Sequence, residues 1–179
     1  MGRSTISIIA LVTGLCLGVI TAINALGAVG LKSVAGSPKW SEWQLESNSS
    51  TLIYVLGHFL GDGRLPPPKS ARYFVRSTDE DGNGLRADCV YDVQGKVTPA
   101  RWWTLSINQD GTAKPHSELT AGEAVLGQDE VLHVFLSAHP MPGNWMVPPD
   151  NNAMTLNYII NEPTQGETIS LPSITKSGC

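Results

Sequence analysis

Charge is scarce in this chain. Asp, Glu, Lys and Arg make up 16% of its 179 residues, and the formal net charge is −4. Without a concentrated basic face, nucleic acid is not an expected partner. A helical bundle would draw on Glu, Lys, Leu and Ala. Here glycine and proline number 18 and 12 instead, a turn-rich composition that suits a β domain. The three cysteines, Cys16, Cys89 and Cys179, form no C-x-x-C pair. The four histidines, His58, His116, His133 and His139, form no H-E-x-x-H motif, and no G-x-S-x-G elbow occurs. A Ser/His/Asp triad can be drawn from almost any chain, so its mere possibility carries no weight. No catalytic residue, metal ligand or cofactor is assigned, and no internal repeat is found.

Long apolar runs are absent except for one. From Ile6 to Leu31 there are 26 residues without a charge, and Asn24 is the only strongly polar side chain. At about 1.5 Å per residue, such a helix would cross a hydrocarbon core of about 30 Å with some tilt. A cleaved signal peptide carries a shorter apolar stretch of about 7–15 residues. A lipoprotein signal needs a small residue before its cysteine, and Leu15 precedes Cys16. Residues 1–35 are therefore expected to be a transmembrane anchor. Arg3 before the helix and Lys32 and Lys39 after it leave the orientation open. Trp40 and Trp43 suit an interfacial aromatic belt. Ala10, Gly14, Gly18 and Ala22 recur every fourth residue. This face is expected to meet another transmembrane helix; the plain alternative is the ordinary abundance of Gly and Ala in membrane helices.

Residues 36–69 read as a juxtamembrane linker. "GSPKWSEWQLESNSS" is polar, Ser49 or Ser50 can cap a short helix, and Leu52, Ile53, Leu56, Phe59 and Leu60 follow at helical spacing before Gly61 and Gly63. "LPPPKS" is a stiff connector. From 70 to 179 the strand signals dominate: "ARYFVRS", "DCVYDV", "RWWTLSIN", "EVLHVFLSA" and "AMTLNYIIN", separated by Gly/Asp/Asn/Pro turns. The apolar residues of "EVLHVFLSA" fall on both parities, which predicts cover on both faces. The fold class expected is mainly β, a β-sandwich or jelly-roll-like domain preceded by one transmembrane helix.

Two stretches invite a functional reading. Asp79, Asp81, Asn83 and Gly84 fit the opening of a calcium loop, whose twelfth position must be a bidentate Glu. That position is Val90, and strand patterns flank the loop, so a hairpin turn is expected. Arg101, Trp102, Trp103, Asn144 and Trp145 are the candidate binding surface. Adjacent tryptophans on a strand face opposite sides, so one fills the core and the other can lie on the surface. Arg101 could stack or hold an anion. The alternative for Asn144 and Trp145 is structural: a plug for the sandwich end and a partner for buried backbone.

Together "RSTDEDGNGLRADCVYDVQG", "PARWWTLSINQDG", "PGNWMVPP" and the closing "LPSITKSGC" resemble domain-of-unknown-function family 1214. The resemblance covers roughly residues 70–179 and is greatest to the short, membrane-anchored form of alphaproteobacteria. It implies a β-sandwich in an exported, periplasm-facing domain and no catalytic residues. Longer relatives add a companion family, 1254, not found in this sequence.

With Cys16 in the apolar run, Cys89 and Cys179 remain for the β domain. A tail without strand signals would fray, and a terminal thiol could tie it down. The closing segment also resembles the way family members end. A Cys89–Cys179 disulfide is the expectation, which would require an oxidising compartment. A buried free Cys89 with a loose tail is the alternative. The resulting expectation is a single-pass protein of the bacterial inner membrane with its C-terminal domain in the periplasm. It would act as an accessory or assembly subunit with other transmembrane helices as partners. A stand-alone ligand-binding module and a hydrolase of unrecognised type are the rivals.

Overall fold

The computed structural model describes residues 3–27, 30–44, 70–109, 115–150 and 153–179. Among them are one α-helix, α1 (Arg3–Gly27), and ten strands: β1 (Gly30–Val34), β2 (Ser37–Gln44), β3 (Ala71–Arg76), β4 (Val90–Lys96), β5 (Ala100–Gln109), β6 (Pro115–Thr120), β7 (Val131–Leu136), β8 (Asn144–Met146), β9 (Met154–Pro163) and β10 (Ser173–Gly178). They form two sheets. The six-stranded sheet runs β1-β2-β3-β9-β5-β6 and the four-stranded sheet runs β10-β4-β7-β8. Every pairing is antiparallel except the short parallel one between β7 and β8.

Alternation along the strands builds the core. In β4, Tyr91 and Val93 point inward while Asp92 and Gln94 point out; in β7, Leu132, Val134 and Leu136 are buried and His133 is exposed. The inward residues of both sheets join one hydrophobic cluster, in which Phe74, Leu105, Leu156 and Ile160 face Val93, Val134, Leu136 and Ile174. This is a sandwich-like arrangement. Fully burying each such side chain contributes about 1.5–3 kcal/mol. Gly95 is required by the closure of this structure: a Cβ there would stand 2.7 Å from the Pro172 Cα, so the segment entering β10 can lie directly on β4.

Several expectations need correction. The anchor-and-linker division at residue 35 does not hold. β1 begins at Gly30, and β2 pairs with β3 through Ser41–Val75 and Glu42–Phe74. Residues 37–44 belong to the sheet, and Trp40 is core rather than interfacial, only 1% exposed. Its polar neighbours concealed the strand. Glu42 points to the core side of β2, where its carboxylate is held by Arg72. The tail also has regular structure, since β10 pairs with β4 from Ser173–Gln94 to Gly178–Val90. β7 is buried along one face, not two. The short helix proposed over 52–60, His58 and "LPPPKS" lie outside the described residues.

In α1 the side chains are described from 7 to 22, and all of them are exposed, among them Ile8, Leu11, Leu15 and Ile20. Among the described residues, no helix is long and apolar enough to cross a membrane.

Candidate functional site

The residues singled out from sequence take different roles. Trp103 is core, its ring 6.0 Å from that of Tyr158 in an edge-on arrangement. Trp102, on the opposite face of β5, is 43% exposed and lies against Gly122. Arg101 is solvent-facing and pairs with Glu162 across 3.2 Å. Asn144 and Trp145 are in strand β8 rather than a shaped loop, and Asn144 is a partner for backbone groups. Asn144 is buried. Its amide donates to the Val125 and His133 carbonyls at 2.7 and 2.8 Å, and its oxygen accepts from Val125 N–H at 2.7 Å. The Trp145 indole donates to the Ser137 carbonyl at 2.7 Å. These five residues do not converge on one pocket. Asn144→Ala would orphan three backbone groups, and one unsatisfied buried group costs about 1–3 kcal/mol. Asn144→Ala is therefore expected to lower the unfolding midpoint clearly, with Arg101→Ala leaving it nearly unchanged, as chemical denaturation would show.

The loop at 79–84 is a tight turn closed by its own carboxylate. Asp79 Oδ1 accepts the N–H groups of Asp81 and Asn83 at 3.0 and 2.8 Å, and Asp79 N–H donates to the Asn83 carbonyl. Gly82 takes a positive φ of 85°, which suits glycine. Burial would raise the Asp79 pKa, but hydrogen bonds from Asn83 and Asp81 and the Lys176 charge lower it below the ordinary carboxylate value. That oxygen faces the positive ends of N–H dipoles, the reverse of what a bound cation needs. A local hairpin exists, with Thr78 bridged to Gly84. The flanking strands, however, do not pair with each other: β3 belongs to one sheet and β4 to the other, so the loop is a crossover.

The loop also carries Glu80, the centre of a groove of about 260 Å³. Lys39 and Trp40 of β2, Arg76 of β3, Glu80 and Pro172 line it. Glu80 Oε2 accepts from the Lys39 ammonium at 2.9 Å, and its Oε1 accepts from Ile174 N–H at 3.2 Å. Lys39 reaches the Glu80 carbonyl as well. Arg76 is almost wholly buried. Its Nε donates to the Thr78 carbonyl at 2.6 Å, and its guanidinium lies 5.9 Å from the Trp40 ring centroid. Arg76 Nη2 is 2.9 Å from Glu80 Oε1 but is not aligned for a hydrogen bond. Two cations against one carboxylate leave the groove one charge positive. The lining supplies recognition groups, the charges of Lys39, Arg76 and Glu80 together with the hydroxyls of Ser37 and Ser173. Sequence reasoning missed this site because positions 39, 76, 80 and 172 share no spacing.

Burial raises the Glu80 pKa, but the Lys39 hydrogen bond, the adjacent Arg76 guanidinium and the Ile174 N–H outweigh it and hold the carboxylate at about 2. A depressed folded pKa gives stability that is present above the unfolded value, 4.5, and lost as pH falls toward 2. Glu80→Gln is expected to flatten the fall in melting temperature between those limits. An unchanged acid limb would contradict the knot described here.

On the outward face of the four-stranded sheet, His133 Nε2 lies 2.6 Å from Asp92 Oδ1, with the Phe135 ring 4.6 Å from the imidazole. Among the described residues no group of three or more His, Cys, Asp or Glu is placed to hold a metal.

The fold and groove thus define a two-sheet β domain with a small polar cleft. No family model matches the chain, and no curated protein does. The solved structures similar to this chain include two from bacteria. One is an uncharacterised protein of Burkholderia cenocepacia, at TM-score 0.50 and 19% identity over 62% of this chain and 30% of that one. The other is a protein of Vibrio parahaemolyticus, at TM-score 0.50 and 18% identity over 69% and 34%. The chain therefore spans about a third of the length of either. At such identities the likeness shows the fold alone.

Proposed function

We propose that the chain is a single-pass protein of the bacterial inner membrane, with its β domain in the periplasm, acting as an accessory or assembly subunit. The observation that carries this reading is α1. Its described side chains are apolar on every side and none is buried. A helix that is hydrophobic all round needs a membrane or a packed interior. The hydroxyls of Thr13 and Thr21 donate to the Ile9 and Leu17 carbonyls, so little free polarity remains. The described side chains alone are shorter than the about 20 residues a bilayer requires, while the uncharged part of α1, from Ile6 to Gly27, reaches that length. The Cys89–Cys179 disulfide supports an oxidising compartment. The resemblance to family 1214 and its jelly-roll-like sandwich is part of the same proposal.

The test is alkaline extraction of membranes, followed by a reporter fused after Cys179. Release by carbonate, or a reporter active only in the cytoplasm, would refute the reading. Ala10, Gly14, Gly18 and Ala22 are exposed, and no atom outside the helix stands within 4 Å of a Cβ built on Gly14 or Gly18. Gly18→Leu is expected to weaken co-purification of a partner from mild detergent by blocking close helix approach. Retention of the full complex would leave this face to lipid.

The groove at Lys39, Arg76 and Glu80 favours a second reading, a stand-alone module for a small anionic ligand. A lone monomer in detergent that is stabilised by such a ligand would favour it.

A further inference from the structure

We propose that an apolar rim of Trp102, Val125 and Leu126 sits in the interfacial layer of the bilayer that α1 crosses, giving the β domain a second membrane contact. This rests on the membrane reading above. The three side chains are large and 43%, 68% and 40% exposed. They are not on a loose tip. Ala121 N–H donates to the Trp103 carbonyl at 3.0 Å, Gly122 backs the Trp102 ring, Asn144 clamps both backbone groups of Val125, and Leu126 is bridged to Leu132. The backbone holds apolar groups outward, toward something that rewards them.

The register shows which end of the sheet they occupy. Gly30, the first residue of β1, pairs with Gln44 at the end of β2. The β2–β3 ladder, Ser41–Val75 and Glu42–Phe74, continues in register toward Arg72 opposite that end. Arg72 pairs with Ile160, Ile160 with Trp103, and Asn161 with Trp102. Trp102 therefore lies at the end of the sheet where the chain arrives from α1. Three Cα steps separate Gly27 from Gly30, at most about 11 Å. Four strand spacings separate β1 from β5, so the rim stands about 19 Å to the side of the anchor. A protein tethered so closely at one corner brings that whole sheet end down toward the headgroups.

Charge gives this end no pull toward an acidic partner. At this end Arg101 pairs with Glu162, Arg72 with Glu42, and Glu123 is held by Thr120. Lys96 is exposed and pairs with Val131, which follows the exposed Asp129 and Glu130 in the chain. Arg72, Arg101 and Lys96 against Glu42, Glu123, Asp129, Glu130 and Glu162 leave this end two charges negative, so the apolar groups are the driving term toward a zwitterionic lipid surface, and Trp is the residue that favours the membrane–water interface.

The experiment uses the full chain in phosphatidylcholine vesicles, with a share of the lipid brominated near the headgroup end of the acyl chain. Trp43 pairs with Leu31 beside Gly30 and would be quenched by the anchor alone, so Trp43→Phe is the background. In it, indole emission is expected to be quenched, and adding Trp102→Phe is expected to remove most of that quenching. Val125→Asp, which keeps Trp102, is expected to reduce it too, with little dependence on salt. Quenching that survives Trp102→Phe overturns the rim contact while leaving the anchor intact. Release of the protein from the vesicles by carbonate overturns the anchor and the rim together. A co-purifying polypeptide lost in Val125→Asp, with quenching unchanged, assigns the rim to a protein and overturns the lipid contact.

Discussion

Replacing Cys179 with serine is expected to lower the unfolding free energy by about 2–5 kcal/mol. The disulfide joins Cys89, buried immediately before β4, to Cys179, immediately after β10, with the two Cα atoms 4.0 Å apart and a sequence separation of 90. Closing a loop of that length in the unfolded chain is worth about 4–5 kcal/mol in the chain-entropy model, with measured cases often lower. The native side adds a second reason. β10 is an edge strand in which Ile174 is the only buried residue, so its attachment depends on the ladder to β4 and on the crosslink at its end. Cys89→Ser should cost about as much, and the double variant little more than either single one, because all three remove the same bond. The measurement is denaturant unfolding of the full chain in mild detergent, followed by tryptophan emission, with and without reductant. A wild-type midpoint that ignores reductant would show that the crosslink contributes nothing.

Where apolar and aromatic residues are dense, the strands were legible. β3, β5, β7 and β9 stand where "ARYFVRS", "RWWTLSIN", "EVLHVFLSA" and "AMTLNYIIN" predicted them, because each buries three or more residues against the core. β10 was not legible, since one inward isoleucine cannot make a period. β8 is three residues long and follows a Pro/Gly-rich turn. β2 was hidden by charge: Lys39 and Glu42 are the marks of a linker until Glu80 and Arg72 are placed opposite them. The same fact concealed the groove, since ion partners that come from different strands leave no trace in spacing. Asp79 behaves differently. Its turn is local, so the residue types that turns prefer were enough to find it, although not enough to say that the flanking strands part into separate sheets.

Trp40→Ala is expected to destabilise the domain by about 3–5 kcal/mol, the range for deleting a large aromatic from a core. The sequence alone placed Trp40 in a polar linker beside a membrane, where its loss would cost almost nothing, so the outcome separates the two arrangements. In the folded chain Trp40 is 1% exposed, its indole donates to the Pro172 carbonyl at 2.8 Å, and its ring lies under the Arg76 guanidinium. It therefore ties β2, β3 and the segment entering β10 at one point. Trp40→Phe should keep most of the packing and lose the indole hydrogen bond, a smaller cost of about 0.5–1.5 kcal/mol. Trp43, three residues on and only half-buried, should tolerate Trp43→Phe better still. Pro172 leads directly into β10, which Cys179 anchors at its other end. Trp40 and the disulfide thus hold the same edge strand, and groups that share a structural element couple by about 0.5–3 kcal/mol. Once Trp40→Ala has freed its entry, the loss of Cys179 should cost less than in the wild type, because less of β10 remains ordered for the crosslink to hold. Denaturant midpoints of the wild type, both single variants and the double variant measure this coupling. Strict additivity would mean that the two ends of β10 are held independently, and an unaltered midpoint for Trp40→Ala would return residues 37–44 to the linker.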